Sequence, residues 1–307
     1  MNLHDTKKLW KTSIPAFCVG CLERLVELTV KEATQDESIR KQASIAAYQV
    51  IQEFRAIPSI TPAQIANHFH PIIKQICKND DPFRLRKVKE MATARELVKK
   101  YPPKSDRLDD LIVYALMGNS IDFFRDPDEL ELSLQRVPRI ACNNISSLVE
   151  RIIKGDVSCI IVLADNAGEV YFDMPVLGSL VSRGLNIFYA VKAAPVQNDL
   201  SVEDLVREGL KDRLDEMGIR VISTGIDSVG LDYNRVSADF RNIYDRADVI
   251  LAKGMGHFET LGKFQDERIF FLFEAKCPTV ADTIGLSIGD FVACWKSSLD
   301  ELMKWSR

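Results

Sequence analysis

The chain has 307 residues, 46% of them hydrophobic, enough for one large domain or two modest ones that fold without help from disulfides. Its 40 basic and 44 acidic residues leave a net charge of -4 with no basic block, which argues against nucleic acid as a partner. No apolar run approaches the roughly 20 residues that span a bilayer, and the opening MNLHDTKKLWKTSIPAFCVG lacks the apolar core of a signal peptide, so a cytoplasmic protein with no membrane partner is expected.

In chain order, the first segments read as helices. LERLVELTVKEA, SIRKQASIAAYQVIQEF, TPAQIANHFHPIIKQICK, RLRKVKEMATARELVKKY and DRLDDLIVYALMG each repeat apolar residues at spacings of three and four. Thr61, Pro62 and Gln64 supply an N-cap, a first-turn proline and the partner of a capping box, so a helix should start there. Upstream, Cys18-Val19-Gly20-Cys21 has zinc or redox spacing, but no second such pair follows to complete a four-ligand site. The seven cysteines lie mostly in apolar settings, as reduced core thiols do. His4, His68 and His70 have no acidic or cysteine cluster near them and read as ordinary surface or core residues.

From Ser158 the pattern changes to short β-rich runs, CIIVLAD, NIFYAVK, IRVIS, DVILAKG and IFFLFEA, separated by helical segments. Runs that are apolar throughout are buried on both faces, and their alternation with helices predicts an α/β fold with a doubly wound, mostly parallel sheet. The expected division is an all-helical cap subdomain over residues 1–140 and an α/β catalytic domain over 141–307.

Ligands of such sheets bind beyond the carboxyl ends of the strands. The residues there are Asp165, Asn166, Gly168 and Glu169 after the first run and KAAPVQND, ending in Asp199, after the second. Lys253, Gly254, Gly256, His257 and Glu259 follow the fourth run, and Glu274 and Lys276 the fifth. Asp165 and Asp199 offer hard anionic oxygens and Asn166 a neutral one, a set that suits one divalent cation. Lys276 can pair with phosphate as a point charge, and glycine turns can add backbone N–H donors. An Asp-Asn pair after a strand is most often a turn or helix cap, and a single histidine such as His257 is most often structural. What favours the metal is that all these groups share one sheet edge. Asn119 and Asp122, in GNSID, end a helix and reach toward this edge from the cap, unless they only terminate that helix. Asp204 is a candidate to orient a water or the ligands.

Taken together, Cys18-Val19-Gly20-Cys21, Asp81-Pro82-Phe83 with Arg84 and Lys87, LMGNSIDF, DNAGE, PVQND, KGMGHFE and EAKCP resemble the damage-control phosphatase family, also called domain of unknown function 89, in its branch with an N-terminal CxxC. The resemblance spans nearly the whole chain. It implies a helical cap on a Rossmann-like domain and a metal-dependent phosphatase for small phosphorylated metabolites such as sugar phosphates. By resemblance, Asp165, Asn166 and Asp199 would hold Mn²⁺, Co²⁺, Ni²⁺ or Mg²⁺. Glu169 and Lys276 would contact substrate, and Lys253 and the segment from Gly254 to Glu259 would line the site. His257 departs from the asparagine that many relatives carry. Hydrolysis would use a metal-activated water attacking phosphorus in line.

Three rivals are weighed against this. An aspartyl-phosphate enzyme of the haloacid dehalogenase type usually shows DxDx[TV], and the second acid is missing here. An S-adenosylmethionine-dependent carboxyl methyltransferase would place a glycine-rich loop after its first core strand, where DNAGE has one glycine. A non-catalytic metabolite-binding protein would need neither metal nor turnover.

Overall fold

The structure, a computed structural model, describes residues 14–120, 131, 134–135 and 138–305. Helices α1 (Ala16–Ala33), α2 (Glu37–Phe54) and α3 (Pro62–Cys77) come first. Asp36 caps α2 by accepting from Ser38 N at 2.8 Å and Ile39 N at 3.0 Å. The expected capping box starts α3, with Gln64 N donating to Thr61 Oγ1 at 3.2 Å and Thr61 N donating to Gln64 Oε1 at 3.0 Å. Helices α4 (Arg84–Lys100) and α5 (Leu108–Gly118) follow, so every helix read from the apolar spacing is present.

The α/β part then runs β1 (Ile140–Asn143), α6 (Ile145–Ile153), β2 (Cys159–Leu163), a 3-10 turn (Ala167–Glu169), α7 (Val170–Ser182), β3 (Asn186–Val191), α8 (Val202–Arg207), α9 (Leu210–Glu216) and β4 (Arg220–Ser223). It continues with α10 (Ala238–Arg246), β5 (Val249–Lys253), α11 (Gly254–Leu261), β6 (Ile269–Glu274), α12 (Pro278–Ile284), β7 (Phe291–Trp295) and α13 (Lys296–Trp305). The strands form one seven-stranded sheet in the order β1-β7-β6-β5-β2-β3-β4. Neighbours from β6 through β4 are parallel, whereas β7 is antiparallel to β6 and parallel to β1.

Apolar side chains of each central strand alternate between two cores. Ile160, Val162, Leu251 and Phe270 face one, with α4, α5 and α7, while Ile161, Leu163, Ile250 and Phe271 face the other, with α10, α11 and α12. Burial on both faces explains why these strands read as unbroken apolar runs. Helices α1 to α3 have a core of their own, centred on Val26, Ala47, Ile65 and Phe69. The helical half therefore divides: α1 to α3 pack as a unit, and α4 and α5 join the sheet. Among the described residues no helix is long and apolar enough to cross a membrane.

Neighbouring strands β2 and β5 send the chain to opposite faces, into α7 and α11 respectively. That divergence opens a crevice at their carboxyl ends, where ligands of doubly wound sheets bind.

Candidate active site

Asp165 and Asn166 stand in this crevice after β2. The loop after β3 returns to meet them: Ala167 N donates to Asn198 O and Leu200 N to Asp165 O, each at 2.8 Å, making Asn166 and Asp199 antiparallel bridge partners. Segments far apart in sequence thus present Asp165, Asn166 and Asp199 side by side. On the β5 side Gly254 faces Asp165 so closely that an added Cβ would lie 1.8 Å from Asp165 Oδ2, and its φ of +77° independently favours glycine. At the end of α5, Asn119 closes the third side. Its Nδ2 donates to Asp165 Oδ2 at 3.1 Å and Glu169 Oε1 at 2.7 Å, and its Oδ1 accepts from Glu274 N at 3.0 Å. Ser120 adds a hydrogen bond to Glu274 Oε2 at 2.8 Å.

The electrostatics are those of crowded anions. Burial raises the Asp165 carboxyl well above its ordinary value, and the charges of Glu169 and Asp199 add to this against Lys276 and Lys192. Asp199 is pushed up to about 6, again by burial first, although Lys192 and Lys87 oppose the shift. Its Oδ2 is buried and, among the described residues, has no hydrogen-bond partner, the Lys192 ammonium standing 3.4 Å away. Buried carboxylates that raise one another's pKa are sites a cation would relieve. Two carboxylates and a carboxamide fit one hard divalent ion with positions left for water and substrate. Among the described residues no set of three or more His, Cys, Asp or Glu side chains is arranged as a metal cage, so this mixed donor set is the candidate.

Other expected site residues fall into two groups. Lys276 is partly exposed just beyond β6, and its charge acts on Asp165. His257 is 1% exposed, and its Nδ1–H donates to Lys253 O at 2.6 Å, which fixes the proton on Nδ1. Burial and then the Lys192 charge hold its pKa well below the ordinary value, so the ring is neutral and Nε2 is an acceptor.

The second group is committed to internal partners. Lys253 Nζ lies 2.5 Å from both Glu169 Oε2 and Asp173 Oδ1 and is 1% exposed. Glu169 is completely buried and accepts from Asn119 and, at 2.8 Å, from Asn166 Nδ2. Internal partners thus hold both: Lys253 neutralises Glu169, and Glu169 orients the two amides. Gly256 packs on the loop after β4, where a Cβ would meet Gly230 N at 3.2 Å. Glu259 turns to the start of α3 and accepts from Ala63 N at 2.9 Å. Of the two roles expected of Asp204, facing water is not seen: its oxygens are taken by Ser201, Lys87 and Arg207, in the capping box that starts α8 directly after the Asp199 loop. Asp122 lies outside the described residues.

Residues not singled out from the sequence complete the surroundings. Asp173 bridges Lys253 to Tyr189, whose hydroxyl donates to Asp173 Oδ2 at 2.7 Å. Lys192, beside Asp199, also donates to Gly230 O. Its position directly after β3 is a signal the sequence already held. His70, read as an ordinary surface or core residue, is buried and lies 3.0 Å from Gln197 Nε2 in the loop that leads to Asp199.

Comparison with known proteins places these features in a wider context. The family model described as the damage-control phosphatase ARMT1-like domain matches residues 14–292. A damage-control phosphatase from Pyrococcus horikoshii is 34% identical over 284 residues, covering 90% of this chain and 95% of the relative. A damage-control phosphatase from Archaeoglobus fulgidus is 26% identical over 295 residues, covering 91% and 98%. The crystal structure of a DUF89 family protein from Pyrococcus horikoshii superposes with a TM-score of 0.78 at 33% identity, over 92% of this chain and 99% of that one.

Proposed function

The chain belongs to the damage-control phosphatase ARMT1-like family, and from that premise we propose that it hydrolyses phosphate monoesters of small metabolites, sugar phosphates or damaged phospho-metabolites, with one divalent cation held by Asp165, Asn166 and Asp199. The observation that carries this reading is the antiparallel meeting of the Asp165-Asn166 and Asn198-Asp199 segments at the crevice between β2 and β5. Mn²⁺, Co²⁺, Ni²⁺ and Mg²⁺ all suit the donor set. Such an ion supplies charge neutralisation on the phosphoryl oxygens and acidifies water for attack.

The chain's own residues do the rest. Lys276, partly exposed beside Asp165, pairs with the phosphate as a point charge that needs no fixed angle. Lys192 balances Asp199 from the other side. His257, neutral and held in one tautomer by Lys253 O, accepts a hydrogen bond from a substrate hydroxyl at Nε2. Asn119 holds the Asp165 carboxylate in place through Nδ2.

Steady-state kinetics of phosphate release test this. Asp199→Ala is expected to abolish metal-dependent release while the circular dichroism spectrum stays native. Lys276→Ala should raise KM by about tenfold or more, the scale of a lost charge-assisted contact of ~1.5–3 kcal/mol. An Asp199→Ala enzyme with full activity would contradict the cation site, and unchanged constants in Lys276→Ala would remove that lysine from it.

A further inference from the structure

Helix α4 is rich in charge, RLRKVKEMATARELVKK, yet Lys87 is completely buried and Glu90 is 7% exposed. With Met91 and Ala94 they form its inward face. The two Glu90 oxygens go to two different loops. Oε1 accepts from Gly168 N at 3.0 Å, and Oε2 accepts from Asn198 Nδ2 at 3.1 Å. Gly168 lies just after the Asp165-Asn166 pair and Asn198 just before Asp199. One turn earlier, Lys87 Nζ sits 2.8 Å from Asp204 Oδ2 and 3.0 Å from Asp81 Oδ2. Asp204 belongs to the capping box that starts α8, directly after the Asp199 loop. A single face of α4 therefore grips both strands of the ligand-bearing pair.

We propose that Glu90 is a positioning residue for the cation site: its carboxylate sets the spacing between the Asp165-Asn166 loop and the Asp199 loop. The inference rests on the function proposed above, and it assigns Glu90 an action through the two loops and not on the reacting atoms. The chemistry calls for a carboxylate. An ionised carboxylate only accepts, so it serves a backbone N–H and an amide N–H at once. A carboxamide of the same size must turn its own NH₂ toward one of these donors. Glutamine would keep one tie and break the other, and alanine would lose both. Groups that hold metal ligands in place typically contribute 10- to 100-fold to affinity.

The test is calorimetric titration of the metal-free full chain with whichever of Mn²⁺, Co²⁺, Ni²⁺ and Mg²⁺ binds the wild type most tightly. Glu90→Gln, Glu90→Ala and Met91→Ala are compared with it, each with a thermal melt. Met91→Ala opens a cavity in the same buried helix face without touching either tie. The expected result is a Kd raised about 10-fold in Glu90→Gln and up to ~100-fold in Glu90→Ala. Met91→Ala should lower Tm with its Kd within about twofold of wild type. Wild-type affinity in both Glu90 variants would overturn the proposal. So would an equal loss in Met91→Ala, because ordinary helix packing would then account for the effect. If Glu90→Ala does not fold, the comparison of Glu90→Gln with Met91→Ala decides the matter. A wild type that binds none of the four ions would instead contradict the cation site itself, and this role with it.

Discussion

Gly254 has no side chain because the Asp165 carboxylate occupies the space one would need, 1.8 Å from where a Cβ would stand. Gly254→Ala is expected to displace that carboxylate and strain a backbone with φ of +77°. Metal-dependent phosphate release should fall by about 100-fold, the scale of an ångström-sized misplacement, and stability by roughly 1–2 kcal/mol. Kinetics alongside denaturant unfolding check both, and an unaltered enzyme would show that this contact does not place Asp165. Glu259 makes a prediction about pH. Burial raises its pKa from 4.5 to about 7, with Ala63 N–H and Lys263 opposing. Below pH 4.5 the group is neutral folded or unfolded. Between 4.5 and 7 only the unfolded chain ionises it, so the stability present at low pH is lost as pH rises. Glu259→Gln should therefore raise Tm at pH 8 and change it little at pH 4.5; a gain confined to low pH would reverse the sign. At this scale the sequence discloses which residues stand at the strand ends, because Asp165, Asp199 and Lys276 each follow an apolar run. It does not disclose where their neighbours point. Lys253, Glu169 and Glu259 share the same edge, yet Lys253 and Glu169 pair with each other while Glu259 turns away to Ala63 N in α3. Glu90 is hidden among the charges of α4.

Among the elements, α5 is the one whose placement bears most directly on the site, since Asn119 caps its end. Gly118 lets it approach α7 so closely that a Cβ there would lie 2.7 Å from Phe172 Cβ. Gly118→Ala is expected to force the helices apart, costing about 1–3 kcal/mol as overpacking does, and to carry Asn119 away from Asp165. Denaturant unfolding and ion titration measure the two effects, and a variant as stable as wild type would show that the contact yields freely. The helices are legible from periodicity, the inner strands β2, β3, β5 and β6 as apolar runs, and the edge strand β4 from its β-branched residues. Strands β1 and β7 are not among the expected runs. IACN is a four-residue strand at the sheet edge with one buried residue and little β-branched content. FVACW is buried throughout and runs directly into α13 just as β5 runs into α11, so its signal is present in the sequence. The split of the helical half between two cores is invisible locally, because an apolar stripe does not say which surface covers it.

For the whole molecule, the order of the strands creates the site. Placing β2 beside β5 sends successive helices to opposite faces, and the resulting crevice collects acids from the β2 and β3 loops, a lysine from beyond β6 and an asparagine from α5. Helix α3 lies across the same edge, with Asn67 bonded to Val229 N at 2.7 Å and His70 to Gln197, so the α1 to α3 unit braces the loops around the crevice. The central claim is that this crevice hydrolyses phosphate esters with a divalent ion. The most direct measurement is phosphate release from a panel of sugar and cofactor phosphates by chelator-stripped protein, with Mn²⁺, Co²⁺, Ni²⁺ or Mg²⁺ restored one at a time. Release is expected only when an ion is restored, and it should vanish in Asp165→Ala. Folded protein that releases no phosphate with any of these ions, or an Asp165→Ala variant as active as wild type, would contradict the claim.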